Sequence, residues 1–251
     1  MTDAELTLRL RANLIAFKRL QVERGRLVHQ GWPGVDAFAV ATRPRDLNLQ
    51  QAVYADVGAL ADALPGLEQF YRDLGVPAWR VLTPGGDRAG QILTRAGYRP
   101  EGALPAMGLA FDCVARRATS VALRELEQMD ELAALNVTAY GAEWADVLSA
   151  WRGPPPPRTH ALAAGEPGRA VACGLSLDVG DTAGIYLVAT QPAARRRGLG
   201  TAIMCGLLEA ARERGLAASV LQATDEGFGL YRRLGYRDLG VWTHWVRRRA
   251  A

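Results

Sequence analysis

The apolar positions of the first half change between helical and strand-like spacing. In the first twenty residues they recur three or four positions apart, and Thr2 with Glu5 forms a capping-box pattern, so a helix is predicted there. A second helix is predicted over 65–75, with Pro65 at its start, and a third from Asp87 to 97. Short apolar runs between these segments predict strands at 26–29, 36–42, 50–57, 79–82 and within 99–112, where Pro105 interrupts the run.

The pattern restarts near position 121 in an order typical of a mixed sheet. A predicted strand at 121–126 is followed by helices at 129–140 and 143–151. The remaining predicted elements are strands at 159–164, 170–179 and 184–190, a helix ending at 215, a strand at 219–222, a helix at 228–234 and strands at 236–239 and 241–246. This order predicts an α+β fold in three layers, with a mixed and mostly antiparallel sheet flanked by helices. The segment 113–120 resembles a linker, which predicts two domains, 1–115 and 119–251.

The segment 185–215 (IYLVATQPAARRRGLGTAIMCGLLEAARERG) carries the clearest candidate chemistry. A predicted strand passes through a turn into three arginines and two glycines, and an amphipathic helix follows. Glycines allow close approach of the backbone, and the first N–H groups of a helix have no partners within it. These groups, the positive end of the helix dipole and the arginine side chains all favour phosphate. A phosphate-binding turn at 195–200 is therefore predicted.

Composition narrows the function classes. The chain of 251 residues is 49% hydrophobic and 22% charged, which is typical of globular domains. Its net charge of +4 is spread along the chain except at 195–197 and 247–249, so nucleic-acid binding is not expected. No apolar run reaches about 18 residues and the N-terminus lacks a signal-peptide pattern, so no membrane association is expected. Three cysteines (Cys113, Cys173 and Cys205) without CxxC spacing favour the cytoplasm and no metal site.

The two halves also resemble each other in sequence. The segment 92–99 (ILTRAGYR) aligns with 230–237 (LYRRLGYR), and 67–75 aligns with 207–215 in the same order. A structural duplication is therefore predicted. Ala55 stands where the second half has Arg195, Leu60 where it has Gly200, and Leu93 where it has Tyr231. We therefore expect the first half to keep the fold without the chemistry, and one active site per chain.

Two motifs in the second half together resemble those of the GNAT (GCN5-related) N-acetyltransferase family. Arg195-x-x-Gly198-x-Gly200, which follows the predicted strand IYLVAT, is similar to the family's acetyl-CoA motif. The segment 230–236 (LYRRLGY) is similar to its second motif. The first half resembles a degenerate GNAT repeat, as in tandem GNAT proteins. The resemblance thus implies two tandem GNAT-like domains, of which the second is catalytic.

The resemblance also implies where acetyl-CoA binds. The pantetheine arm would lie between the strand that holds Leu187 and the strand at 219–222, and the pyrophosphate would lie on the amides of the turn. A main-chain N–H near Val188 would polarise the thioester carbonyl, and Tyr231 would protonate the departing thiolate. No metal is implied. The implied cofactor-binding residues are Leu187, Val188, Ala189, Arg195, Arg196, Arg197, Gly198, Leu199, Gly200 and Thr201.

The implied reaction is transfer of acetyl to a primary amine of a small molecule or peptide, by direct attack in a ternary complex. The strand before the turn has no carboxylate, so a water relay is expected as the base, with Glu143 as the other candidate. The acceptor is left open, as is the choice between monomer and homodimer. The alternative function is a non-catalytic CoA-binding sensor or interaction module. A dinucleotide-binding enzyme is disfavoured because the glycine turn follows an antiparallel meander.

Other polar residues have structural interpretations. His160 and His244 lie in predicted strands and Cys205 in a predicted helix, where buried structural roles are expected. Asp225 and Glu226 follow a strand end and are expected to be loop or capping residues rather than a base.

Overall fold

The computed structural model describes residues 1–42, 46–85, 88–113, 119–149 and 151–249. These residues form two compact units. The smaller unit contains Leu14–Ala106 and Gly240–Ala251, and the larger unit contains Met1–Asn13 and Met107–Leu239.

The smaller unit combines an antiparallel meander with one parallel strand pair. The meander is β1–β2–β3, whereas β3 and β4 pair in parallel, with Gln51 beside Arg80. Helix α2 connects the parallel strands and buries its apolar face, including Leu67 and Tyr71, in a core that also contains Trp79. The elements that begin in this half of the chain are α1 (Asp3–Glu23), β1 (Val28–Trp32), β2 (Val35–Ala39), β3 (Gln51–Tyr54), α2 (Val57–Asp73), β4 (Ala78–Thr83), α3 (Ala89–Arg95) and β5 (Arg99–Ala110).

The larger unit has the same succession of connections. Strands β6–β7–β8–β9 pair antiparallel, and β9 pairs in parallel with β10. Helix α6 connects these parallel strands and buries Ile203, Met204 and Leu207 in the core of this unit. Its elements are β6 (Leu123–Glu125), α4 (Asp130–Tyr140), α5 (Ala145–Ser149), β7 (Thr159–Ala164), β8 (Ala172–Val179), β9 (Thr182–Thr190), α6 (Leu199–Glu213), β10 (Ala218–Gln222), α7 (Asp225–Arg233) and β11 (Arg237–Arg248), of which the last continues into the smaller unit.

These observations confirm the predicted fold class, a mixed and mostly antiparallel sheet flanked by helices. In both units an antiparallel meander is followed by a helix and a parallel strand, which is the arrangement expected of the two predicted repeats.

Helix α2 corrects one prediction. It begins at Val57 and carries Pro65 in its interior, whereas the sequence placed a strand through 57 and a helix start at Pro65. Asp56 is the N-cap, and its Oδ1 accepts from the Ala59 N–H at 2.9 Å. A proline inside a helix removes one hydrogen bond, and the carboxylate cap together with the buried face stabilises the two turns before it.

Other predicted boundaries have mixed outcomes. The capping box at the start of α1 is confirmed, because the Thr2 N–H donates to Glu5 Oε2 at 2.6 Å and the Glu5 N–H donates to Thr2 Oγ1 at 3.2 Å. Two predicted interruptions are wrong: β5 continues through Pro105, and β11 is one strand that passes Gly240 with φ of 89°. Asp87, the predicted start of α3, and most of the predicted linker lie outside the described residues.

Candidate functional site

The turn between β9 and α6 is shaped by two residues in the left-handed region. Arg196 has φ of 64° and Gly198 has φ of 77°. A Cβ atom added at Gly198 would meet nothing within 4 Å, and one added at Gly200 would meet only Thr190 Oγ1 at 3.7 Å and Leu230 Cδ1 at 3.9 Å. The backbone of this turn is therefore open to close approach by another molecule.

The N-terminus of α6 has free hydrogen-bond donors. Gly198 is the N-cap, so no side chain caps the helix, and the first hydrogen bond of the helix runs from the Ala202 N–H to the Gly198 carbonyl at 3.0 Å. In the described part of the chain, the N–H groups of Leu199, Gly200 and Thr201 have no acceptor. Free N–H groups at the positive end of a helix, here one of 15 residues, are favourable for binding an anion.

The turn forms one wall of a cleft with a volume of about 920 Å³. Nine of the eleven predicted site residues line it: Val188, Ala189, Arg195, Arg196, Gly198, Leu199, Gly200, Thr201 and Tyr231. The other two, Leu187 and Arg197, are not part of its lining as far as the described residues show. Residues from α4 and α7 complete the walls, among them Tyr140, Glu226 and Leu230.

The cleft lies where two parallel strands separate. Strands β9 and β10 pair from Thr182 beside Ala218 to Gly184 beside Val220. Both strands continue beyond this point, to Thr190 and Gln222, without further pairing between them in the described residues. The main-chain groups of the second half of β9 are therefore available on this side.

A bulge in β9 changes the direction of its backbone at the cleft. The register between β8 and β9 shifts between Cys173 and Leu175 of β8. At this point of β9, Leu187 has φ of 53°. A leucine in the left-handed region is uncommon and is held by its surroundings. The Asn136 Nδ2 atom of α4 donates to the Leu187 carbonyl at 3.1 Å, and the Tyr140 hydroxyl donates to the Val188 carbonyl at 2.8 Å.

Tyr231 is buried at the cleft wall, with 9% of its surface exposed. Its ring makes an edge contact with Tyr236, at 5.9 Å between ring centres. Burial, and secondly the nearby Tyr140, raise the pKa of Tyr231 well above its usual range. The hydroxyl is therefore protonated at neutral pH, as a tyrosine also is at its ordinary pKa.

Glu226 and Arg195 face each other at the mouth of the cleft. Arg195 Nη1 lies 3.6 Å from Glu226 Oε2, and both side chains are exposed. Asp225 and Glu226 form the first turn of α7, whose N-cap is Thr224. They are therefore helical rather than the loop or capping residues predicted, and the helix begins three residues earlier than position 228. An anion at the turn would compete with Glu226 for Arg195.

The sequence pattern did not identify Asn136, Tyr140 or the lining position of Glu226. Asn136 and Tyr140 are four residues apart, so they lie on one face of α4. An asparagine inside an apolar helix was the available signal, because a buried amide needs a partner.

The corresponding helix start in the smaller unit carries a carboxylate cap. Asp56 caps α2 with its own carboxylate, and its Oδ1 accepts from the Ala59 N–H. The turn at Gly34 packs beside it, because a Cβ at Gly34 would lie 2.9 Å from Ala59 Cβ. A carboxylate at this position repels a phosphate, so the start of α2 is less favourable for an anion than the start of α6.

The remaining candidates lie away from the cleft lining. His160 Nε2 is 3.4 Å from Asp178 Oδ2, and burial lowers the pKa of His160. His244 Nδ1 is 3.4 Å from Arg80 Nη1, and burial lowers its pKa to about 4. Cys205 is buried within α6.

Glu143, the candidate base, has a side chain outside the described residues. Among the side chains that the structure describes, no group of three His, Cys, Asp or Glu residues could hold a metal ion. Within the same residues, none of the helices combines the length and the apolar character that crossing a bilayer requires.

The second half of the chain matches a family model. Residues 122–236 match the model described as Acetyltransferase (GNAT) family. Comparison with curated proteins finds no match. The matched segment contains the cleft, the turn at 195–201 and Tyr231.

Solved structures share the fold over nearly the whole chain. A GCN5-related N-acetyltransferase from Kribbella flavida superposes with a TM-score of 0.67 at 17% identity, covering 94% of this chain and 96% of its own. A putative GNAT-family acetyltransferase from Novosphingobium aromaticivorans gives a TM-score of 0.58 at 17% identity, covering 88% and 92%. A tandem GNAT protein from the clavulanic acid biosynthesis pathway gives 0.57 at 12% identity, covering 98% and 95%. Residues 122–236 are thus similar to the GNAT acetyltransferase family model, and these structures show that the chain shares the fold of GNAT proteins.

Proposed function

We propose that this protein transfers the acetyl group of acetyl-CoA to a primary amine, by direct attack of the amine in a ternary complex. The observation that carries the proposal is the convergence on one cleft of three free N–H groups at the start of α6, the bulged strand β9 and the protonated Tyr231. All of these residues belong to the larger unit, so we propose one site per chain.

The residues present fit acetyl-CoA. The amides of Leu199, Gly200 and Thr201, with the arginine side chains at 195–197, would hold the pyrophosphate. Open space beside Gly198 and Gly200 allows this close approach. The backbone of β9 at 187–189 would pair with the pantetheine arm, because the strand has lost its neighbour β10 at this point. Acetyl-CoA supplies the activated acyl group.

Groups of this chain would stabilise the negative charge on the acyl oxygen and transfer the protons of the reaction. The Val188 N–H would donate to the acyl oxygen as negative charge develops there. The Tyr231 hydroxyl would give its proton to the sulfur as the carbon–sulfur bond breaks and the carbon–nitrogen bond forms. Water in the cleft would take the proton of the attacking amine, since the one carboxylate in the described lining, Glu226, is exposed and paired with Arg195.

Binding is tested by thermal unfolding with and without CoA or acetyl-CoA. A ligand at one hundred times its Kd stabilises a protein by about 2.7 kcal/mol. Gly198→Asp places a carboxylate in the cradle and should abolish the shift. Gly215→Asp is the matched control, because Gly215 at the other end of α6 also has a positive φ, 81°, and open space around it. A wild-type protein that millimolar acetyl-CoA does not stabilise would refute the proposal.

The alternative is a CoA-binding sensor without catalysis. It is favoured by the absence of a buried carboxylate from the described cleft lining. A screen of amines for release of free thiol separates the two functions. Binding without thiol release across polyamines, amino acids, aminoglycosides and peptide N-termini would favour the sensor.

A further inference from the structure

Two side chains of α4 hold two consecutive carbonyl groups of β9. The Asn136 Nδ2 atom donates to the Leu187 carbonyl at 3.1 Å, and the Tyr140 hydroxyl donates to the Val188 carbonyl at 2.8 Å. The two donors are separated by one helical turn, so they reach the bulge from the same face of α4. We call Asn136 and Tyr140 the α4 clip.

The orientation of the Asn136 amide is fixed by its neighbours. Its nitrogen lies within hydrogen-bond distance of two carbonyl oxygens, those of Leu132 at 2.9 Å and Leu187 at 3.1 Å. The reversed amide would place an oxygen against two acceptors, which is repulsive. The clip is therefore a donor to the bulge.

The clip determines where the Val188 N–H points. The peptide bonds of the described chain are all trans, and in a trans peptide the carbonyl and the N–H point in opposite directions. Because the Leu187 carbonyl faces Asn136 on α4, the N–H of Val188 in the same peptide faces away from α4. Val188 itself lines the cleft.

The buried Asn136 side chain lowers the stability of the fold, which is not expected of a residue with a purely structural role. It is fully buried, and its Oδ1 atom has no partner in the described structure. A buried carbonyl oxygen without a donor destabilises the fold, whereas a leucine of similar volume would carry no such cost. Tyr140 keeps 43% of its surface exposed, although its hydroxyl is bonded. What both residues share is the bond to the bulge.

We propose that Asn136 and Tyr140 are positioning residues, which fix the carbonyls of Leu187 and Val188 so that the Val188 N–H is held toward the acyl oxygen of a bound thioester. This inference rests on the proposed function and adds the residues that orient its polarising group. The clip acts on the acyl carbonyl through the Val188 N–H, whereas the turn at 195–201 binds the nucleotide part.

The test compares two ligands that differ in one carbonyl group. Acetyl-CoA has the acyl oxygen, whereas S-ethyl-CoA is a thioether of similar size without it. Tyr140→Phe and Asn136→Leu should each weaken binding of acetyl-CoA about threefold to tenfold more than binding of S-ethyl-CoA, the range of one lost hydrogen bond. With a turnover substrate, kcat should fall at least about tenfold. Thr138→Ala is the matched control, because in the described structure Thr138 Oγ1 bonds only to the Ala134 carbonyl of its own helix.

Each outcome decides between the two proposals. Equal Kd changes for both ligands, or no change for either, in a folded variant would overturn the clip while leaving the proposed function intact. A wild-type protein that binds neither ligand would instead overturn the proposed function. If Asn136→Leu does not fold, Tyr140→Phe still decides, because it removes a single hydroxyl at the exposed end of α4.

Discussion

Lys18, the only lysine of the chain, should make the stability of the protein depend on pH in the neutral range. Its Nζ donates to the Asn48 carbonyl at 2.7 Å. Burial, and secondly the charge of Arg80, lower the pKa of Lys18 from 10.5 to about 7, and Asp46 partly opposes both. No carboxylate in the described structure lies within 4.0 Å of the ammonium group.

The sign follows from the number of protons bound in each state. Between pH 7 and 10.5 the unfolded chain keeps the proton on Lys18 and the folded chain releases it, so the free energy of unfolding rises with pH. The destabilisation grows as the pH falls from 10.5 and is complete below about 7. At about 1.4 kcal/mol per unit of pKa, the gain between pH 7 and 9 is on the order of 2 kcal/mol, an upper bound because the side chain is only half-buried.

The experiment is urea unfolding of the wild type and Lys18→Met at pH 7, 8 and 9. The variant loses the buried charge and one hydrogen bond of about 1 kcal/mol. At pH 7 the variant should therefore be more stable than the wild type, by about 1 kcal/mol. Toward pH 9 this difference in the free energy of unfolding should vanish or reverse. Arg19→Met is the control, since it removes a neighbouring cation whose side chain is 54% exposed. Parallel curves for wild type and Lys18→Met from pH 7 to 9 would refute the argument.

Three further predictions concern the cleft and the helix starts. Tyr231→Phe should lower kcat about a hundredfold with little change in the Kd of CoA, as measured by thiol release and calorimetry; an unchanged kcat would remove Tyr231 from the reaction. Glu226→Gln should raise the affinity for CoA about twofold to fivefold at low salt, because it frees Arg195 from an exposed pair worth at most about 1 kcal/mol. Calorimetry at two salt concentrations should show that the gain in affinity shrinks with salt, and a variant that binds CoA more weakly than the wild type would contradict the prediction. Amide exchange should slow at 199–201 when CoA binds and stay unchanged at 57–59; equal protection at both helix starts would argue against a single cradle.

The predictable features were those with a local chemical signature. The capping box of Thr2 and Glu5 needs only two side chains three positions apart, and it forms as expected. The turn from β9 to α6 was visible because glycines at 198 and 200 follow an apolar run and arginines. The predicted helix start at Pro65 was wrong because a proline is normally found at the start of a helix. The residue that caps α2, Asp56, lies nine residues earlier.

The unpredicted features depend on contacts between distant segments. The left-handed Leu187 has no sequence signal, since leucine does not favour that region, and it is held by Asn136 about fifty residues earlier in the chain. Tyr140 reaches the Val188 carbonyl across a similar separation. Such contacts exist only once α4 packs on β9, so no local pattern contains them.

The cap at Asp56 has a consequence for what the two helix starts can bind. Helix α2 carries its own anion, because Asp56 Oδ1 accepts from the Ala59 N–H at its start. Helix α6 starts at a glycine and has no side chain that caps it, so the positive end of its dipole is left to a visiting anion. An aspartate at a helix start both stabilises the helix and repels a phosphate. The open start of α6 therefore costs the larger unit a cap of about 1 kcal/mol, which a bound anion would return.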